Sequence, residues 1–114
     1  MLKIGCCGFS RSMDAYFRRF SLVEIQKTFY KLPEPETAAR WREKAPPDFE
    51  FTLKAWQGIT HLASSPTYRK AKLHLSEEQK KSLGHFRPTE AVWQAWEQTA
   101  EIARLLDARI VVLQ

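Results

Sequence analysis

Glycine is scarce, with 4 in 114 residues, and the 2 cysteines are adjacent at Cys6 and Cys7. Gly5 and Gly8 therefore stand without the further glycine, or the Lys-Ser/Thr pair, that a phosphate-binding loop requires. They suit a tight turn at a strand end instead. Adjacent cysteines cannot bridge distant segments, which excludes a disulfide framework. No apolar run approaches the roughly 18 residues of a membrane span, and no basic-then-apolar leader opens the chain, so a cytoplasmic protein with no membrane contact is expected. Charge of one sign is only mildly in excess: 18 Lys and Arg against 13 Asp and Glu leave +5. That balance excludes a polycationic tail and keeps anionic ligands in view. What is present is the composition of a folded domain, 44% hydrophobic and 12% aromatic, and the length allows one domain rather than two.

The apolar pattern divides the chain into alternating elements. Leu2–Cys7 reads as a first strand closed by Gly8, and Ser12 caps a helix over Met13–Phe20. Leu22–Gln26 is a second strand. Pro33 and Pro35 open a helix that must stop at Pro46-Pro47, and Phe49–Ala55 alternates Phe51 and Leu53 against Thr52 and Lys54 as a third strand. Residues 56–88 form an excursion too long for a plain connection. Within it, Ser76 with Gln79 is a capping-box pair for a helix over Glu77–Leu83, and Gly84 suits the far end. Thr89 caps the clearest helix, whose face is expected to carry Val92, Trp96, Ala100, Ala103 and Leu106 or Asp107, with Trp93 and Trp96 packed inside. Arg109–Gln114 is a β-branched run expected to be a strand buried on both faces.

Strand, helix, strand, helix, strand, excursion, helix, strand is a series of βα units, which predicts α/β architecture with parallel pairing and right-handed crossovers. The whole chain, residues 1–114, then forms one partial barrel domain, about the first half of a TIM (β/α)₈ barrel; a small open sheet is the alternative.

Several segments also resemble one known family. Ile4-Gly5-Cys6-Cys7-Gly8-Phe9, Val23–Tyr30, Pro35-Glu36-Thr37 with Arg40-Trp41, and Phe51–Ala55 with Ile59-Thr60-His61 are similar to the YecE-like family, domain of unknown function 72. The resemblance runs from the first strand to Gln114 and implies a TIM barrel, of which this chain matches the first part. The chain departs from the family pattern at Cys6-Cys7, Phe9 and Gln26-Lys27. The family has no assigned reaction, so the resemblance supplies a fold and positions rather than an activity.

In a barrel, catalytic groups sit at the C-terminal ends of strands. Glu24 and Lys54 are late polar residues in apolar strands. They are read as a general acid or base and as an anion holder, electrophile or amine nucleophile, meeting within hydrogen-bond reach. A structural ion pair is the competing role. His61 follows the third strand and can exchange protons near neutral pH, while a helix-capping histidine is as good an account. Thr60 beside it, Tyr30 after the second strand and Gln114 at the last strand's end are candidate ligand contacts; Phe29 is assigned to the core rim. Cys6-Cys7 with His61, His74 or His85 lacks zinc spacing, so no metal is expected, and no cofactor is named by any motif.

The leading functional expectation is an enzyme-type barrel protein acting on a small anionic or sugar-like ligand. The second is a nucleic-acid-binding protein that uses the basic excursion at 68–87, where Arg69, Lys70, Lys72, Lys80, Lys81 and Arg87 are diluted by Glu77 and Glu78. Four barrel strands leave Leu2–Cys7 and Ile110–Leu113 as open edges. Self-association or a missing C-terminal half is therefore expected, the latter favoured by a resemblance that continues to Gln114.

Overall fold

The structure is a computed structural model and describes residues 2–114. Four strands, β1 (Cys6–Cys7), β2 (Leu22–Ile25), β3 (Glu50–Lys54) and β4 (Ile110–Val112), form one sheet in the order β1-β2-β3-β4 with every pair parallel. Helices α1 (Met13–Arg19), α2 (Lys27–Tyr30), α3 (Pro35–Lys44), α4 (Gln57–Thr60), α5 (Thr67–Ala71), α6 (Glu77–Ser82) and α7 (Glu90–Leu105) fill the connections. Among the described residues no helix is long and apolar enough to cross a membrane. Neighbours in sequence are neighbours in the sheet. This is the winding of half a (β/α)₈ barrel, as the βα alternation requires.

The caps follow the local chemistry. Ser12 Oγ accepts the Ala15 amide at the start of α1, and Thr89 Oγ1 accepts the Val92 amide at the start of α7. Ser76 and Gln79 complete a capping box on α6 by exchanging side-chain and backbone bonds. Three short helices, α2, α4 and α5, carry too few residues to leave a periodic signature, and sequence patterning does not locate them.

Strand alternation sorts the side chains. Val23, Ile25, Phe51 and Leu53 are buried on the helix side with Tyr16, Ala38, Phe49, Ile102 and Leu106. Residues of opposite parity, Cys7, Glu24, Thr52, Lys54 and Val112, share the other face. In a closed barrel this face would be the interior.

Four expectations need correction. The first strand pairs only at Cys6–Cys7, because the Tyr16 hydroxyl stands where the ladder would begin. With Cys6 opposite Val23, the Cys6 amide should bond the Leu22 carbonyl. Instead it donates to Tyr16 Oη (2.7 Å), which donates in turn to Leu22 O (2.7 Å). Beyond the splice the ladder resumes, with the Gly8 amide on Glu24 O at 2.7 Å. Gly8 turns the chain there at φ +89°, and a Cβ at Gly5 would lie 2.2 Å from Leu22 O.

Second, β4 is not buried on both faces. Ile110 is 52% exposed, because it is level with Thr52 and so points to the face away from the helices, at the sheet's edge. Third, Trp93 and Trp96 are not core residues. The buried stripe of α7 is Val92, Ala95, Thr99, Ile102 and Ala103, so the helix is turned away from the face that the tryptophans suggested. Thr99, not Trp96, sits at its centre, its hydroxyl satisfied by Ala95 O at 2.8 Å. The fourth concerns Glu24 and Lys54, whose geometry belongs to the site.

The excursion is fastened by polar groups. Gln57, fully buried, gives its Nε2 to Tyr30 O (3.2 Å) and accepts from Thr67 Oγ1. Tyr68 Oη donates to His61 O at 2.9 Å, and burial pushes its pKa up to about 12. The neutral phenol is thus favoured in the folded chain. The stability this provides is complete below the unfolded value near 10 and is lost as pH rises toward about 12. Urea midpoints are expected to fall more steeply between about pH 9.5 and about pH 11 for the native sequence than for Tyr68→Phe. Parallel pH profiles would show that the phenol is not the titrating group.

Candidate functional site

The C-terminal ends of the strands bring four polar side chains onto the inner face, one from each strand or its extension. Cys7 ends β1, Glu24 lies near the end of β2, Lys54 ends β3 and Gln114 lies just beyond β4. Cys7 lies opposite Glu24, and Lys54 opposite Val112, two residues before Gln114. Parallel register therefore staggers the row: Cys7 and Glu24 are level, Lys54 lies two residues further along and Gln114 two further still.

Glu24 and Lys54 do not make the direct contact expected of them. Among the described residues the ion pairs are Lys3–Glu50 and Lys80–Glu77. The cause is register: Glu24 is level with Thr52, which places Lys54 two residues, or about 6.6 Å, further along its strand. Each has another partner. Cys7 Sγ donates to Glu24 Oε2 at 3.3 Å, and Lys54 Nζ donates to Gln114 Oε1 at 2.5 Å. The carboxylate's hydrogen bond and its charge raise the Cys7 pKa above the usual thiol value, against a smaller opposing pull from the Lys54 charge. Cys7 is accordingly held as the thiol, a weak nucleophile at neutral pH. Cys6 packs on the helix side against the core, so the two vicinal side chains leave opposite faces.

The remaining candidates lie on the rim. Thr60 Oγ1 and His61 Nδ1 are 2.7 Å apart, at the end of α4, and the His61 ring stands edge-to-face on Phe29 at 5.0 Å. No hydrogen bond joins His61 to Glu24 or Lys54 among the described residues; its position is that of a helix-terminal residue packed on the buried Phe29. The Tyr30 carbonyl receives Trp56 Nε1 (3.1 Å) as well as Gln57 Nε2, while its ring lies 5.9 Å from Lys70 Nζ. Thr28 Oγ1 donates to Lys54 O at 2.7 Å and ties α2 to the end of β3.

Thr28 and Gln57 thus support the site, yet neither stands out in the sequence. Their one local signal is a polar residue three positions after a strand's last residue and directly before a buried one, Phe29 or Gly58. Gly84 belongs with them: a Cβ there would meet His61 O at 2.2 Å, so the chain's return from α6 can pass only a glycine.

Chemically, the row offers a carboxylate, an ammonium, an amide and a protonated thiol on one solvent-open face. A carboxylate and an ammonium offset along neighbouring strands can flank a bound group rather than neutralise one another.

The family described as protein of unknown function DUF72 matches residues 5–113. UPF0759 protein YecE of Escherichia coli (strain K12) is 43% identical over 53 residues, 46% of this chain and 20% of that protein. UPF0759 protein YunF of Bacillus subtilis (strain 168) is 32% identical over 50 residues, 44% of this chain and 18% of that protein. A crystal structure of a DUF72 family protein from Enterococcus faecalis V583 superposes with a TM-score of 0.54 at 25% identity, covering 90% of this chain and 36% of that one. The matches thus span about a fifth of the curated relatives and about a third of the solved one.

Proposed function

The chain belongs to the DUF72 family, matched over residues 5–113, and on that footing we propose that it carries an enzyme-type site for a small anionic or sugar-like ligand on the inner face of its sheet. The observation that supports this most directly is that Cys7, Glu24, Lys54 and Gln114 share one face near the C-terminal ends of consecutive parallel strands. Strand ends of this kind are where barrel proteins place their chemistry. Lys54 holds the ligand's anionic or carbonyl oxygen by exchanging its bond to Gln114 for one to the ligand. Glu24 is placed to take or give a proton on a hydroxyl group. Thr60, His61 and Tyr30 form the rim against which a sugar or ring would lie.

The test uses pentose and hexose phosphates as probes, with calorimetry and product formation as readouts. A hydrogen bond to a charged group contributes about 1.5–3 kcal/mol, so Lys54→Ala is expected to weaken binding roughly 10- to 100-fold. Glu24→Gln is expected to leave affinity within about threefold and to lower any turnover by about 10²–10⁴, the range for a general acid or base. Equal affinity of native chain and Lys54→Ala would remove the site. Duplex binding that falls steeply with salt, and is lost when Arg69, Lys72 and Lys81 are neutralised, would favour the nucleic-acid reading instead.

A further inference from the structure

A second recess lies beside the strand ends and includes none of the four inner-face residues. It is an open cleft of about 510 Å³, within the range of small-molecule sites, built by α2, the segment after it, α3 and the end of α5. Lys27, Lys31 and Lys70 stand around it with a single carboxylate, Glu34, and its walls include the rings of Tyr30 and Trp41. None of these lysines forms an ion pair among the described residues. Three ammonium groups gathered on one concavity repel each other, and an anion bound among them relieves that repulsion.

The cleft's floor is fixed before any ligand arrives. The Tyr30 carbonyl is held by both Trp56 Nε1 and the buried Gln57, the Lys31 amide bonds Lys27 O at 3.1 Å, and Thr28 anchors the same turn to β3. Lys70 comes from the excursion and its ammonium lies over one face of the Tyr30 ring, 5.9 Å from the ring centre, which leaves the other face for a ligand's ring. Such preorganisation reduces the ordering cost of binding.

We propose that this cleft binds a phosphorylated ring compound of mononucleotide size, its phosphate among Lys27, Lys31 and Lys70 and its ring against Tyr30 or Trp41. Neither feature suffices alone: lysines are point charges that accept any anion, and ring faces stack on any planar group. The combination within one cleft selects a ligand carrying both. The excursion then has a role, since Lys70 brings one wall of the site from a segment that the barrel framework does not require.

Calorimetry on the full 114-residue chain tests this with AMP, adenosine and inorganic phosphate as separate probes. AMP is expected to bind in the micromolar range, at least tenfold tighter than either of the others, and more weakly as salt rises. Lys31→Ala/Lys70→Ala, which touches exposed side chains only, is expected to weaken AMP at least tenfold with an unchanged thermal melt. Tyr30→Leu provides the ring arm and is expected to weaken AMP while leaving inorganic phosphate unaffected. Lys54→Ala, which is expected to weaken binding at the inner-face site, should bind AMP as the native chain does, which separates this cleft from that site. Absence of AMP binding at millimolar concentration, adenosine or phosphate matching AMP, or an unchanged affinity in the double lysine variant would each overturn the proposal.

Discussion

Tyr16→Ala is expected to destabilise the chain by about 3–5 kcal/mol, the range for removing a large buried ring, and in a domain of this size that approaches the whole folding free energy. The ring is fully buried and packs with Phe9, Phe20 and Phe49 at centroid separations of 5.2, 4.7 and 6.2 Å. Its hydroxyl is also the splice between β1 and β2. The ring and the hydroxyl can be separated experimentally. Tyr16→Phe keeps the ring and is expected to cost about 1–2 kcal/mol, because the Cys6 amide and the Leu22 carbonyl lose their partner. Urea denaturation of both variants is the measurement. A phenylalanine variant as stable as the native chain would mean that the two strands close directly once the hydroxyl is gone.

At micromolar concentration the 114-residue chain is expected to self-associate, despite its net charge of +5. The sheet ends in two parallel edges, β1 and β4, and beside the β4 edge lies an apolar groove of about 320 Å³ lined by Ile59, Phe86, Val92, Trp93, Trp96 and Leu113. Trp93 is 62% exposed and Phe86 58%. Contiguous exposed rings beside an unpaired β-branched strand are the usual surface on which chains associate. Light scattering is expected to give a mass well above 13.3 kDa. Ile110→Lys/Leu113→Lys, two exposed positions that leave the core alone, is expected to weaken association at least tenfold. A native chain that stays monomeric at tens of micromolar, with cooperative unfolding, would show that this edge is stable in water.

Helix α7 shows where reading the sequence stops. Its start is written locally, since the Thr89 hydroxyl caps the amides of the turn directly after it, and its length is set by uninterrupted helix formers. Its rotation is not. Tryptophans at positions 93 and 96 make the strongest apolar signal in the helix, yet its buried face carries Ala95, Thr99 and Ile102, where the small Ala95 and Thr99 allow the close approach of neighbouring helices such as α3 and α4. The same boundary runs through the inner-face site. That Glu24 and Lys54 share a face follows from strand parity. Their offset depends instead on Glu24 standing level with Thr52, a register set between two strands that a helical crossover separates, with no local signature.

Local chemistry along the chain dictates the order of the elements, the parallel βα winding, the caps at Ser12, Ser76 and Thr89, and which strand residues face away from the helices. These are properties of neighbours one to four residues apart, and spacing and capping chemistry express them directly. Long-range packing alone brings the Tyr16 hydroxyl into the β1–β2 ladder, buries Gln57 to hold the Tyr30 carbonyl, and carries Lys70 over Tyr30 from the excursion. Each of those joins a side chain to a group on another element, where the geometry of the assembled fold, rather than any local propensity, selects the partner.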